Sequence, residues 1–246
     1  MSDPVLEFED ASFSFGEVTI LDDASLALDG GTFVALVGAN GSGKTTALEL
    51  LAGLRPLDAG TVTRPTTAGR TVAYLPQSPR FRPGFTVREV VEFYGSLVEG
   101  EVDTDAILAR VGLGGAADRR VDELSGGMAR LLGLAQALIG DPPVVVLDEP
   151  TSGLDPDIAD HIFEAAAAMA ADDRLVLTTS HDLEAVSRYA DRVVLIANGE
   201  FVLDGSPAAL LEQAGEERLR DVFSAAVAGR GREAVDIDAP TDGGGK

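Results

Sequence analysis

The N-terminal stretch alternates apolar and polar positions. Val5-Leu-Glu-Phe8 and Ala11-Ser-Phe-Ser-Phe15 run close to a period of two, as half-buried strands do. Asp29-Gly-Gly31 then marks a turn. Thr32–Val37 follows as an unbroken apolar run, which predicts a central strand buried on both faces. A glycine-rich loop leads into a helix over about Lys44–Leu51, stopped near Gly53 and Pro56.

Thr71-Val-Ala-Tyr-Leu75 reads as a further strand, running into Pro76-Gln77-Ser-Pro79 and a proline-rich stretch to Phe85. From Thr86 to about Ile139 the period is helical, broken at Gly112–Gly115. Pro143-Val-Val-Val-Leu147 is a second core strand, and Asp157–Met169 is an alanine-rich helix. Leu175–Thr178, Val193–Ala197 and Phe201–Leu203 complete the strand–helix alternation, and Leu210–Val227 reads as one terminal helix. Residues 229–246, rich in Gly, Asp and Pro, read as a disordered tail. A lobe made only of helices, about residues 83–140, is thus inserted into an α/β alternation spanning 1–228.

The length of 246 residues and the 45% hydrophobic content support one large α/β unit or two small lobes. No apolar run approaches the ~18–20 residues that span a bilayer. The N-terminus lacks a basic-then-apolar signal layout, so a cytoplasmic location is expected. The absence of Cys excludes disulfides and thiolate metal sites. Acidic residues number 41 against 19 basic ones, a formal charge of −22. Such a surface repels nucleic acid, whose binding depends on Lys and Arg neutralising phosphates. Only two of the basic residues, Lys44 and Lys246, are lysines. Excess acid with Arg in place of Lys resembles proteins of halophilic archaea, in which salt screens the self-repulsion.

The one internal lysine lies in Gly38-Ala39-Asn40-Gly41-Ser42-Gly43-Lys44-Thr45, which fits the loop that cradles nucleotide phosphates. Its glycines let backbone N–H groups close on phosphate oxygens at a helix N-terminus. Lys44 is expected to reach the β- and γ-phosphates, and the Thr45 hydroxyl to ligate Mg²⁺. About 100 residues on, Asp148 and Glu149 end an apolar strand. A carboxylate there is costly unless paired or metal-linked, so Asp148 is expected to hold Mg²⁺ and Glu149 to polarise the attacking water. Leu124-Ser125-Gly126-Gly127-Met128 precedes a long apolar helix. Ser125 there is either a plain helix cap or part of a second anion site that the two glycines open.

With these motifs in this order, the chain resembles the nucleotide-binding subunit of ABC transporters from Val5 to about Leu211. Leu124–Met128 is similar to the family's Leu-Ser-Gly-Gly-Gln signature, with Met128 replacing Gln. Glu149-Pro-Thr-Ser-Gly-Leu-Asp155 is similar to the stretch that ends in the Asp of the dimer-contact loop. Gln77 matches the glutamine that senses Mg²⁺ and the membrane partner, and His181 the switch histidine near the γ-phosphate. Phe15 sits where the family stacks an aromatic on adenine; by pattern alone it could equally end a strand as core. The chain departs from the family at Leu131, where a basic residue is frequent; Arg130 lies one step, about 100°, around the helix.

The resemblance implies an α/β fold: a P-loop NTPase (RecA-like) core with an N-terminal antiparallel β subdomain and an inserted helical subdomain. It implies an ATPase using ATP and Mg²⁺, with ATP held by Gly38 through Thr46 (Gly38, Ala39, Asn40, Gly41, Ser42, Gly43, Lys44, Thr45 and Thr46). Two chains pair head to tail, so that Ser125, Gly126, Gly127 and Asp155 of one complete the site of the other. Catalysis is assigned to Glu149, His181, Lys44 and Gln77, and the metal to Thr45, Gln77 and Asp148. The partners are polytopic membrane subunits, which places the chain on the inner face of the cell membrane. Thr86–Leu97 and Leu132–Leu138 resemble the branch serving exporters of drugs, polysaccharide or copper-processing systems; import of a metal or small solute, or a non-transport ATPase, is the alternative. Arg80, Phe81, Arg82 and Phe85, after Gln77, are expected to form an exposed docking patch.

Overall fold

The computed structural model describes residues 5–67 and 69–235. Two sheets carry the fold. The first is antiparallel and has the order β2-β1-β4, formed by β1 (Leu6–Phe15), β2 (Val18–Leu28) and β4 (Ala59–Thr63). The second has the order β5-β6-β7-β3-β8-β9, with β3 (Phe33–Val37), β5 (Val72–Leu75), β6 (Val144–Leu147), β7 (Leu175–Thr179), β8 (Arg192–Ala197) and β9 (Glu200–Gly205). Its strands pair in parallel except β9, which runs antiparallel to β8. Every residue of β3, β6 and β7 is buried, as the continuous apolar runs require of strands covered on both faces.

The two alternating segments at the N-terminus form one ten-residue strand rather than two. Asp10, at φ 49°, makes the irregularity between them: the register with β2 shifts between Phe8 and Ala11, and Ser25 Oγ accepts from the Asp10 N–H at 3.0 Å. A bulge places two exposed residues in succession, Glu9 and Asp10, which breaks the alternation without ending the strand. Strand β4 carries almost no apolar signal because it is an exposed edge; a side chain on Gly60 would meet Asp10 O at 2.2 Å.

The helical lobe holds α2 (Val87–Gly95), α3 (Thr104–Arg110) and α4 (Gly126–Leu138). Thr86 and Glu89 form a reciprocal capping box at the start of α2, and Asp103 and Ser125 cap α3 and α4. Its core is continuous with the face of the large sheet covered by α5 (Pro156–Ala171), through Leu75, Leu132, Leu147 and Phe163. Helix α1 (Lys44–Leu51) fills the opposite side, between the two sheets, with Phe8, Leu26 and Val146 around it.

After α6 (Leu183–Tyr189), the terminal helix expected over Leu210–Val227 is two helices, α7 (Pro207–Ala214) and α8 (Leu219–Val235). Gly215, left-handed at φ 67°, caps α7 and turns the chain. The segment expected to be a disordered tail therefore begins as helix through Val235; residues 236–246 lie outside the described residues.

Phe163 on α5 stacks on Tyr189 at 5.8 Å and meets Phe33 of β3 at 6.1 Å, with almost no exposure. Its truncation leaves a cavity under the central strand. Phe163→Ala is expected to lower the unfolding free energy by about 3–5 kcal/mol, read from urea unfolding at fixed salt.

Candidate functional site

Strand order brings the chemistry together. Neighbouring strands β5, β6, β7 and β3 each deliver a loop at their carboxyl end, where open parallel sheets bind ligands. Gln77 follows β5, Asp148 and Glu149 follow β6, Ser180 and His181 follow β7, and Gly38 follows β3. Residues far apart in sequence thus meet in a row.

The glycine loop is tightly wound. Gly41 and Gly43 have φ of 79° and 96°, open to Gly at little cost. A side chain on Gly38 would strike Ile196 O at 2.5 Å and Ser42 Oγ at 2.6 Å. Lys44, 6% exposed, folds back over this loop and donates to Gly38 O and Ala39 O, each at 3.0 Å. Burial pushes its ammonium below the usual lysine value, while Glu149 and Asp148 push it back up. Ser42 Oγ is buried with no hydrogen-bond partner among the described residues. An orphaned hydroxyl and a loop of N–H groups at a helix N-terminus suit a phosphate. Asn40, Gly41 and Ser42 line a hollow of about 400 Å³ with Val18, Thr19 and Ile20.

Asp148 is 5% exposed at the end of the all-buried β6. Its carboxylate accepts from three hydroxyls: Thr45 at 3.2 Å and Thr179 at 2.8 Å on Oδ1, and Tyr74 at 3.2 Å on Oδ2. Burial, and then the adjacent carboxylate, push the Tyr74 phenol well above its usual value, so it stays a donor. Hard oxygen donors of this kind suit Mg²⁺, which takes one or two carboxylates and completes its shell with substrate phosphates and water. Among the described residues no group of three or more His, Cys, Asp or Glu could hold a metal ion.

Glu149 has φ 44°, left-handed for a residue with a side chain, a conformation that costs about 1–3 kcal/mol. Thr179 Oγ1 holds the turn by accepting from the Glu149 N–H at 2.8 Å. Gln77 Nε2 donates to Oε2 of Glu149 at 3.0 Å, and His181 Nε2 lies 2.7 Å from Oε1. The carboxylate is therefore aimed from both sides. It borders a hollow of about 300 Å³ lined also by Ser152, Gly153, Ser180 and His181.

The remaining predicted residues lie elsewhere. Ser125 caps α4 by accepting from the Met128 N–H at 3.3 Å, and Asp155 is the N-cap residue of α5 without a side-chain cap bond. These two helix starts pack together: a side chain on Gly127 would strike Ile158 Cγ2 at 2.7 Å. Gly127 is buried against Ile158, while Gly126 and Ser125 are exposed. Leu131 is buried in the lobe core, and Arg130 Nε is buried without a partner among the described residues.

Phe15 is 47% exposed, with the Arg55 guanidinium 5.2 Å over its ring and Phe13 against it at 4.9 Å. It is neither closed core nor a wall of the glycine-loop hollow. Of the proposed docking residues, Arg80 and Arg82 are exposed, but Phe81 and Phe85 are half-buried against the lobe core, correcting the expected open patch. Phe93, 46% exposed and edge-on to Phe85 at 6.1 Å, extends the apolar surface instead. Sequence reasoning missed Thr179 and Tyr74. The one signal was a hydroxyl at or near the end of an otherwise apolar strand.

The family model described as ABC transporter matches residues 21–152. The chain is 37% identical over 224 residues to the Nod factor export ATP-binding protein I of Paraburkholderia xenovorans, covering 86% of this chain and 74% of that one. A solved ATP-binding subunit of an ABC transporter superposes with a TM-score of 0.78 at 24% identity, covering 91% of this chain and 99% of that one. A dimeric ATP-binding cassette bound to ADP and phosphate superposes with a TM-score of 0.71 at 22% identity, covering 82% and 98%.

Lys44 has no spare room: it is buried and shared between two carbonyls of its own loop. A planar guanidinium cannot take the place of a compact ammonium there. Lys44→Arg is expected to cut nucleotide hydrolysis by about a hundredfold or more, and a turnover within about threefold of wild type, read by phosphate release, would refute this.

Proposed function

Because the chain belongs to the ABC transporter family and is its ATP-binding, ATP-hydrolysing subunit, we propose that it powers export through separate polytopic membrane subunits, with Glu149 as the general base. The observation that carries the reading is the aim of Glu149. It sits between Gln77 and His181 and one residue from Asp148, which shares a hydrogen bond with Thr45 next to Lys44. The export direction is supported by the Nod factor export relative.

Backbone N–H groups of Gly38–Gly43, Lys44 and the orphaned Ser42 hydroxyl would hold the phosphates, with Thr46 in the first turn of α1. Glu149 takes a proton from water as the water oxygen bonds to the γ-phosphorus and the bond to the ADP oxygen breaks. His181, on the other side of the carboxylate, orients that base and faces the transferred group. Thr45 and Asp148, with Gln77 nearby, would hold Mg²⁺, which when bound neutralises charge on the phosphate oxygens. Phe15 would stack on adenine once Arg55 swings aside, and then adds a planar contact independent of the glycine loop.

Ser125 and Gly126, exposed at the N-terminus of α4, with Gly127 beneath them and Asp155 beside them, would close on ATP held by a second copy. This head-to-tail reading is supported by the dimeric cassette of like fold. No helix among the described residues is long and apolar enough to cross a membrane. We place the chain peripherally on the cytoplasmic face of the cell membrane. The −22 charge supports a salt-rich cytoplasm of a halophilic archaeon and disfavours nucleic acid as partner.

Glu149→Gln keeps the phosphate-holding residues but cannot accept the proton. It is expected to bind ATP and to form dimers that persist, because cleavage no longer opens them. Two strongly acidic faces close only when salt screens them, so dimers are expected with ATP near 1 M KCl, where the screening length is about 3 Å. Adding Ser125→Arg is expected to abolish the dimer and spare monomer nucleotide binding. Light scattering of both variants at low and high KCl decides it; a Glu149→Gln protein that stays monomeric throughout would overturn the shared site.

Membrane-subunit docking is assigned to the Arg80–Phe85 segment and Phe93, where Arg82 lies 5.4 Å over the Phe85 ring. Phe85→Ala with Phe93→Ala is expected to weaken co-purification of the membrane partner by about tenfold or more, while ATPase activity of the isolated chain stays near wild type. Undiminished co-purification would move docking elsewhere.

A further inference from the structure

The two oxygens of Asp148 are held from opposite sides. Thr45 and Thr179 hydroxyls donate to Oδ1, at 3.2 and 2.8 Å. Oδ2 accepts from the Tyr74 phenol at 3.2 Å. A carboxylate held on one oxygen can swing about its last torsion. One held on both cannot swing without breaking a bond. The threonines belong to the glycine-loop helix and to β7, which the site already uses. Tyr74 belongs to β5, on the far side of β6, paired with Val146 in the ladder, and the reaction gives it no other task. The ladder is continued by the Asp148 N–H donating to Leu75 O at 2.9 Å, which fixes the carboxylate-bearing residue against the strand that carries the phenol.

We propose that Tyr74 is a positioning residue for the nucleotide-bound divalent cation: by holding Oδ2 it keeps Oδ1 of Asp148 beside the Thr45 hydroxyl, so that the two oxygen donors are presented together. The proposal rests on the reading of Asp148 as a metal-holding group. Partners of a ligating carboxylate orient it and tune it, and losing one weakens metal affinity without touching the metal. Tyr74→Phe removes that one donor and keeps the ring, so packing under β5 is preserved.

The test uses binding rather than turnover. Mg²⁺ is titrated into the full chain holding a fluorescent ADP analogue, in wild type, Tyr74→Phe and Asp148→Asn, and each is repeated without metal in EDTA. For Tyr74→Phe the Mg²⁺ midpoint is expected to rise about tenfold, with nucleotide affinity in EDTA unchanged and the thermal unfolding midpoint in EDTA lowered by the lost hydrogen bond. A second readout is independent of the nucleotide probe. The chain has no Trp and three Tyr, so its intrinsic emission is that of tyrosine alone. Mg²⁺ with unlabelled ADP is expected to change that emission in wild type and not in Tyr74→Phe. A midpoint within about twofold of wild type overturns the proposal, as does an equal loss of affinity in EDTA, which would mark Tyr74 as packing only. If Asp148→Asn keeps the Mg²⁺ dependence, the metal reading of Asp148 falls and the role of Tyr74 with it. If Asp148→Asn loses it and Tyr74→Phe does not, the positioning role alone is wrong.

Discussion

A carboxylate buried at the end of an apolar strand is unstable unless its oxygens are satisfied, and its removal from water costs several kcal/mol. Asp148 meets that condition with three hydroxyls, from α1, β7 and β5, around its own strand β6. Four elements are thereby tied at one point. The same point fixes where the glycine loop sits, because Thr45 is the second residue of α1, directly after Lys44. Any sequence that placed an alanine at Thr45, Tyr74 or Thr179 would leave a lone pair of Asp148 unsatisfied in the interior. The hydroxyls are therefore required by the fold even before nucleotide enters, and the site inherits its rigidity from that requirement.

Glu149 illustrates the opposite condition. Its backbone is held in the left-handed region, and the Thr179 hydroxyl that donates to Asp148 also accepts the Glu149 N–H. One threonine thus joins the buried carboxylate to the strained turn. Strain of this kind persists only where neighbours over-determine it. Here the neighbours are Thr179 beneath and Gln77 and His181 on either side, all from strands adjacent in the sheet. The sheet order β5-β6-β7 converts sequence separation into a linear array of side chains, and that order follows from burying three apolar strands next to one another.

Apolar runs made β3, β6 and β7 legible in the sequence, and the glycine loop with its single internal lysine made the candidate phosphate site legible. Both are signals in which residue type dictates environment. Edge strand β4 was not legible, because Ala59-Gly-Thr-Val-Thr63 pairs through backbone alone and leaves its side chains in water. The break between α7 and α8 depends on Gly215 taking a left-handed turn, and a glycine in an apolar helical pattern does not announce that. Gly127 is ambiguous in the sequence for a related reason. A missing side chain permits a ligand or a neighbouring helix to approach, and the close packing of Ile158 appears only in the fold. Tyr74 and Thr179 escaped notice because a hydroxyl at a strand end acquires meaning only when the facing carboxylate is known.

Charge sets the remaining constraint. At the phosphate loop the Lys44 ammonium stands against the carboxylates of Asp148 and Glu149, in a chain whose net charge is −22. A nucleoside triphosphate adds further negative charge to a locus that is already negative on balance. Backbone N–H groups and the helix N-terminus contribute partial positive charge, equivalent to about half an elementary charge. That does not offset the phosphates, so tight binding needs a cation carried in with the nucleotide and donors arranged to receive it. Asp148 held on both oxygens would be such an arrangement under the proposed metal site. The same arithmetic, applied to two copies facing each other across bound nucleotide, makes closure depend on what screens or neutralises the charge. Binding and pairing are thus two responses to a single electrostatic deficit.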